Sequence, residues 1–118
     1  MTPIDLTETT FDRTIAEADI VLVDFWAGWC GPCLQFATVF EAAALANPDI
    51  VFGKVNTEVE VNVARSSDIA SVPTLLAFRG GLLVFEEAGA LPAAGLDSVI
   101  EVVRGLDMGA VKSGSTRS

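Results

Sequence analysis

From Ile20 to Trp26 the chain reads Ile-Val-Leu-Val-Asp-Phe-Trp, an apolar run interrupted only by Asp24. A run with no polar alternation marks a central strand covered on both faces, as the strands of parallel sheets are. Ahead of it, Phe11, Ile15 and Ala18 fall at helical spacing within residues 7–19, behind hydroxyl and acidic side chains. That pattern predicts an amphipathic helix, itself preceded by a short strand. Beyond Gly31 and Pro32, residues 34–46 have the composition of a helix, which Asn47 and Pro48 end. Residues 50–56 predict a second central strand, 57–65 a polar helical connection and 66–73 a loop. Residues 75–78 and 82–87 flank a tight Arg79-Gly80-Gly81 segment, the signal of an antiparallel hairpin. Leu96, Val99, Ile100 and Val103 supply the apolar stripe of a last helix, with Gly105 placed to stop it and 107–118 left as a frayed, flexible tail.

A βαβ half followed by a ββα half gives an α/β fold: a mixed central sheet with helices on both faces and one core. The length of 118 residues, 51% of them hydrophobic, suits a single domain over residues 1–106. No apolar run approaches the roughly 20 residues of a membrane-spanning helix. The net charge of −9, with no histidine, repels phosphate backbones and anionic lipid, so the expected partners include neither nucleic acid nor membrane. Residues 1–10 carry no basic start and no apolar stretch, so no secretory signal is expected and the location reads as cytoplasmic.

The chain has two cysteines, three positions apart, which excludes a framework of structural disulfides. Trp29-Cys30-Gly31-Pro32-Cys33 lies between a buried strand and a helix, so the helix's free N–H groups and positive dipole end point at the first sulfur and stabilise a thiolate there. The spacing lets the two sulfurs close a small ring, so that attack by one can be followed by attack from the other. Taken alone, such a pair can also be half of a zinc site. Structural zinc needs four sulfur or nitrogen ligands, so this chain could bind it only by sharing a site between two molecules. Asp24 is a second anomaly, because an ionised carboxylate in an apolar strand is costly unless paired or protonated. Lys54 on the next strand reads in plain terms as a solvated edge. Pro73 reads as a strand start, although proline tolerates a cis peptide bond at small cost.

The segments Val23-Asp24-Phe25-Trp26-Ala27, Trp29-Cys30-Gly31-Pro32-Cys33 and Val72-Pro73-Thr74 resemble the thioredoxin family in order and spacing. The likeness extends over residues 6–104 and takes in Lys54, Phe78, the Gly80-Gly81 turn and Gly89-Ala90. It implies a protein-disulfide reductase of the thioredoxin fold, using reversible Cys30–Cys33 exchange to reduce other proteins and maintain cell redox balance. In that reading Cys30 is an exposed nucleophile and Cys33 resolves the mixed disulfide. Gly31 and Pro32 set how reducing the couple is. Asp24 takes the Cys33 proton and Lys54 moderates Asp24. Trp29, Val72, a cis Pro73, Gly89 and Ala90 line a groove in which the substrate adds an extended strand. Trp26 and Phe25 read as core. The resemblance implies no bound cofactor and no metal. Its partners are disulfide-containing proteins and an NADPH-dependent flavoprotein reductase, and the chain is expected to act as a monomer.

Three positions depart from the family. Leu34 stands where a basic residue is common, Gly28 where an acidic or polar one is, and Thr38 where a helix-kinking proline often stands. Without a cation at 34, the Cys30 thiol is expected to have a slightly higher pKa than in relatives that carry one. Two rival readings keep the fold. One is a thiol oxidase or isomerase of an oxidising compartment, which the Gly-Pro dipeptide and the missing signal oppose. The other is a binding module or chaperone that leaves its thiols unused, opposed by the intact cysteines and Asp24.

Overall fold

A computed structural model describes residues 2–112. Strand β1 is Ile4–Asp5, followed by α1 (Phe11–Glu17), β2 (Ile20–Trp26), α2 (Gly31–Ala46), β3 (Val51–Asn56), α3 (Val61–Ser66), β4 (Thr74–Arg79), β5 (Leu82–Ala88), α4 (Ala93–Arg104) and α5 (Met108–Lys112). The five strands form one mixed sheet in the order β1-β3-β2-β4-β5. β2 runs parallel to β3 and antiparallel to β4, which places it at the centre.

Alternation along β2 divides the core in two. Ile20 and Leu22 pack with Phe36, Phe40, Phe52, Leu96 and Ile100, on the side of α2 and α4. Val21, Val23 and Phe25 pack with Phe11, Ile15 and Val63, on the side of α1 and α3. With helices over both faces, the apolar run of β2, broken only by Asp24, is explained. Each buried phenylalanine contributes roughly 2–3 kcal/mol of transfer free energy to this arrangement.

Several boundaries differ from the sequence expectation, for local reasons. Helix α1 begins at Phe11 rather than residue 7, because Thr7 N–H bonds Thr10 Oγ1 and the Thr7 carbonyl takes the Thr10 and Phe11 N–H groups, making a turn. Helix α3 is confined to Val61–Ser66, since Thr57 is tied to the Trp26 carbonyl at the end of β2 and the Val59 and Glu60 N–H groups turn back onto the Asn56 carbonyl. Gly105 does end α4, yet its φ of −88° is not left-handed. The α4 terminus is instead closed by Arg79, whose guanidinium donates to the carbonyls of Val103, Arg104 and Leu106 at 2.8, 2.9 and 3.3 Å. Arg104 in turn forms a paired contact with Asp49 and bonds Asn47 Oδ1, fastening α4 to the loop after α2. Of the segment expected to fray, Met108–Lys112 is helical, with Asp107 capping through Oδ1 to the Ala110 N–H. Residues 113–118 lie outside the described part. Among the described residues no helix is long and apolar enough to cross a membrane.

Candidate redox site

The site forms where β2 ends and α2 begins. Cys30 N–H reaches the Ala27 carbonyl at 3.3 Å and closes the turn between the two elements. Cys30 is the N-cap of α2 in an extended conformation, and its Sγ accepts the Cys33 N–H at 3.2 Å. One of the helix's orphan donors is thereby spent on the sulfur, the geometry that favours negative charge there once the bond is reduced. Pro32 sits in the first helical turn, where its missing N–H costs nothing. Cys30 and Cys33 are joined as a disulfide, with Cα atoms 5.3 Å apart.

The expectation of an exposed Cys30 is corrected. The residue is 4% exposed and Cys33 2%, and both pack with Ala27, Trp26 and Val72. Bonded to Cys33 and capping its own helix, the Cys30 sulfur is turned toward the protein. The Val72 carbonyl oxygen lies 3.7 Å from Cys30 Sγ, a contact that a reduced thiol could use as a donor and the disulfide cannot. What is exposed is the surround: Gly31 and Pro32 on the first turn, Trp29 at 73% and Leu34 at 70%. Helix α2 contains no lysine or arginine, so nothing on it adds positive charge beside the sulfur. Leu34→Lys is therefore expected to lower the Cys30 thiol pKa in the reduced protein. A thiolate absorbance titration checks this, and an unchanged or higher midpoint would contradict it.

Asp24 shares its face of β2 with Leu22 and Trp26, hence with α2, and stands three residues before Ala27, where the turn that leads to Cys30 begins. It is fully buried, and neither carboxylate oxygen has a hydrogen-bond partner among the described residues. Burial raises its pKa from 3.8 to about 7, against the opposing pull of the Lys54 charge. Lys54 is the registered partner of Asp24 on β3 and is half-buried, with its ammonium 5.2 Å from the centre of the Trp26 ring. Its reading as a solvated edge does not hold. Trp26, expected in the core, belongs with the cysteine cluster and the lysine, whereas Phe25 is core.

The Val72–Pro73 peptide bond is cis. Pro73 is buried, and its carbonyl accepts the N–H of Gly89, which has a φ of 99°. Gly89 and Ala90 are exposed just past β5, so this bond links them to the loop facing Cys30. A groove of about 210 Å³ runs between Trp29 and the 69–72 loop, with Thr57 and Ala64 also lining it; of the five residues expected to line a groove, Trp29 and Val72 are in its walls and Pro73, Gly89 and Ala90 are not. Thr57, Ile69 and Ala70 carry no motif and were not legible as site residues. Among the described residues no cluster of three or more His, Cys, Asp or Glu side chains is placed to hold a metal.

The thioredoxin family model matches residues 2–102. A protein of Streptomyces coelicolor assigned as thioredoxin 2 is 50% identical over 109 residues, covering 92% of this chain and 81% of that protein. Thioredoxin 1 of Nostoc is 42% identical over 98 residues, covering 81% of this chain and 92% of its own. Among solved structures, a mutant thioredoxin from Halobacterium salinarum superposes with a TM-score of 0.83 at 31% identity, covering 89% of this chain and 93% of that one.

Proposed function

The chain belongs to the thioredoxin family and is a thiol–disulfide oxidoreductase, and from that premise we propose a division of labour among its residues. Cys30 as thiolate attacks one sulfur of a substrate disulfide, forming the Cys30–substrate bond and expelling the other substrate sulfur as a thiolate. Asp24 takes the proton from Cys33, whose thiolate attacks Cys30 Sγ. The Cys30–substrate bond breaks, the substrate sulfur that Cys30 had attacked leaves and is protonated, and the Cys30–Cys33 disulfide remains. Two electrons have passed to the substrate. A carboxyl with a pKa of about 7 is suited to this, because at neutral pH it accepts a proton and releases it again with little driving force either way. The observation that carries the reading is the disulfide at the α2 N-terminus with Cys33 N–H on Cys30 Sγ.

Trp29, Val72, Pro73, Gly89 and Ala90 form the substrate-binding surface, the segment around Val72 pairing with an extended stretch of the partner. Gly31 and Pro32 tune the couple, and Lys54 restrains the pKa of Asp24. The family's partners are disulfide proteins and a reductase. For this chain the donor is proposed to be an NADPH-dependent flavoprotein, the location cytoplasmic and the working form a monomer. Residues 1–106 are proposed as the domain and the remainder as a tail. The test is insulin reduction by the wild-type protein, driven by dithiothreitol or by NADPH with a purified flavoprotein thioredoxin reductase. Acceleration in both is expected. No acceleration in either overturns the reductase reading, and acceleration with dithiothreitol alone overturns the flavoprotein donor.

A further inference from the structure

The β3–α3 connection reaches across to the loop that carries Trp29. The Thr57 N–H and hydroxyl both donate to the Trp26 carbonyl, at 2.9 and 3.0 Å. The next residue, Glu58, accepts the Gly28 N–H on Oε1 at 3.0 Å, and its own N–H is held by Asn56 Oδ1 at 3.0 Å. A Cβ at Gly28 would stand 3.4 Å from the same carboxylate oxygen, so the contact is close as well as bonded. Trp29 is 73% exposed, and packing therefore does little to place it. Its position follows from the backbone of the Ala27–Cys30 turn, and Glu58 is the side chain that fastens that turn from outside. Thr57 also lines the groove between Trp29 and the 69–72 loop, so the fastening joins one wall of the groove to its neighbour.

We propose that Glu58 is a positioning residue for substrate selection: by holding the Gly28 N–H it sets the Trp29 wall of the groove at its distance from the Val72 wall. The proposal rests on the reading of Trp29 and Val72, the two residues this groove shares with the proposed substrate surface, as substrate contacts. It separates two properties. Affinity for a folded disulfide protein, which must span the groove, depends on Glu58. The intrinsic reactivity of Cys30, which is set by its own helix terminus, does not.

The experiment mixes the pre-reduced protein with increasing insulin, or with a small aromatic disulfide, and follows single-turnover oxidation. Glu58→Ala is expected to raise the half-saturating insulin concentration by about three- to ten-fold, the scale of one ordinary hydrogen bond, since this one is exposed to solvent. Its rate with the small disulfide should stay unchanged. Glu58→Gln keeps an acceptor oxygen and should restore insulin half-saturation to within about two-fold of wild type. Trp29→Ala should also weaken insulin binding, and Glu58→Ala added to it should change nothing more, because the carboxylate acts through the indole. Equal loss with both substrates would indicate a general structural effect and overturn the proposal, as would a glutamine variant no better than alanine or effects that multiply in the double variant. If Trp29→Ala weakens insulin binding and Glu58→Ala does not, the groove stands and Glu58 alone is dismissed. If Trp29→Ala has no effect, the groove reading falls and the proposal with it.

Discussion

Mixed with insulin, a reduced Cys33→Ser variant is expected to stop at a covalent adduct, one insulin chain held through Cys30, whereas Cys30→Ser forms no adduct. Neither variant should complete a turnover. The asymmetry follows from the helix terminus and not from exposure, which is 4% for Cys30 and 2% for Cys33: Cys30 caps α2 and its sulfur accepts an N–H at 3.2 Å, while Cys33 lies one turn inside. In the proposed division of labour the thiolate at the cap attacks the foreign disulfide and the thiol within the turn attacks only its neighbour. Removing Cys33 replaces an intramolecular attack by attack from dissolved thiol, which slows release by on the order of 10³-fold or more at millimolar thiol. Non-reducing electrophoresis with mass spectrometry identifies the trapped species. An adduct on the Cys30→Ser protein instead would reverse the two roles.

The second large effect is on stability. Asp24 has its pKa raised from 3.8 to about 7 by burial, so between those values the native state holds a proton that the unfolded chain has released. Unfolding then releases a proton, and stability falls as pH rises through that window. Below the window the group is protonated in both states and imposes no penalty. Above it the full cost of a buried anion is present, about 4 kcal/mol for a displacement of this size. Oxidised Asp24→Asn is therefore expected to resist urea better than the parent at pH 8, by up to about 4 kcal/mol, with the difference shrinking toward nothing near pH 4. Urea titrations across that range decide it, and a gap independent of pH would contradict the assignment. The same substitution should slow resolution of the Cys30 mixed disulfide at neutral pH. If resolution keeps its normal rate, Asp24 is not the proton acceptor. The two outcomes together would make Asp24 a trade of stability for activity.

Much of this was legible in the sequence because the informative signals are local. The apolar run of β2, the Cys-Gly-Pro-Cys turn and the two glycines between β4 and β5 each specify a conformation within a few residues. Gly80 and Gly81 take the positive φ values, 58° and 83°, that a two-residue hairpin loop requires. Asp24 announced itself by being the wrong residue type for its strand. Other features lie in pairings between distant segments. Asp24 and Lys54 are neighbours only through the parallel register of β2 and β3, and Glu58 meets Gly28 across 30 positions. The closing of α4 by Arg79 is of the same kind, a side chain on one element completing another. Burial of Cys30 escaped because it depends on where Val72 and Trp26 end up, which no spacing encodes.

The chain has two tryptophans and no tyrosine, so emission excited beyond the absorption of its phenylalanines comes from the two indoles alone. They occupy different surroundings: Trp26 is half-buried beneath the Lys54 ammonium, and Trp29 stands in water next to the disulfide. Disulfides quench nearby indoles by accepting an electron, and desolvation shifts indole emission to shorter wavelength. Brightness thus reports the oxidation state of the sulfur pair, while colour reports whether a partner has covered Trp29, and a single unlabelled sample carries both signals.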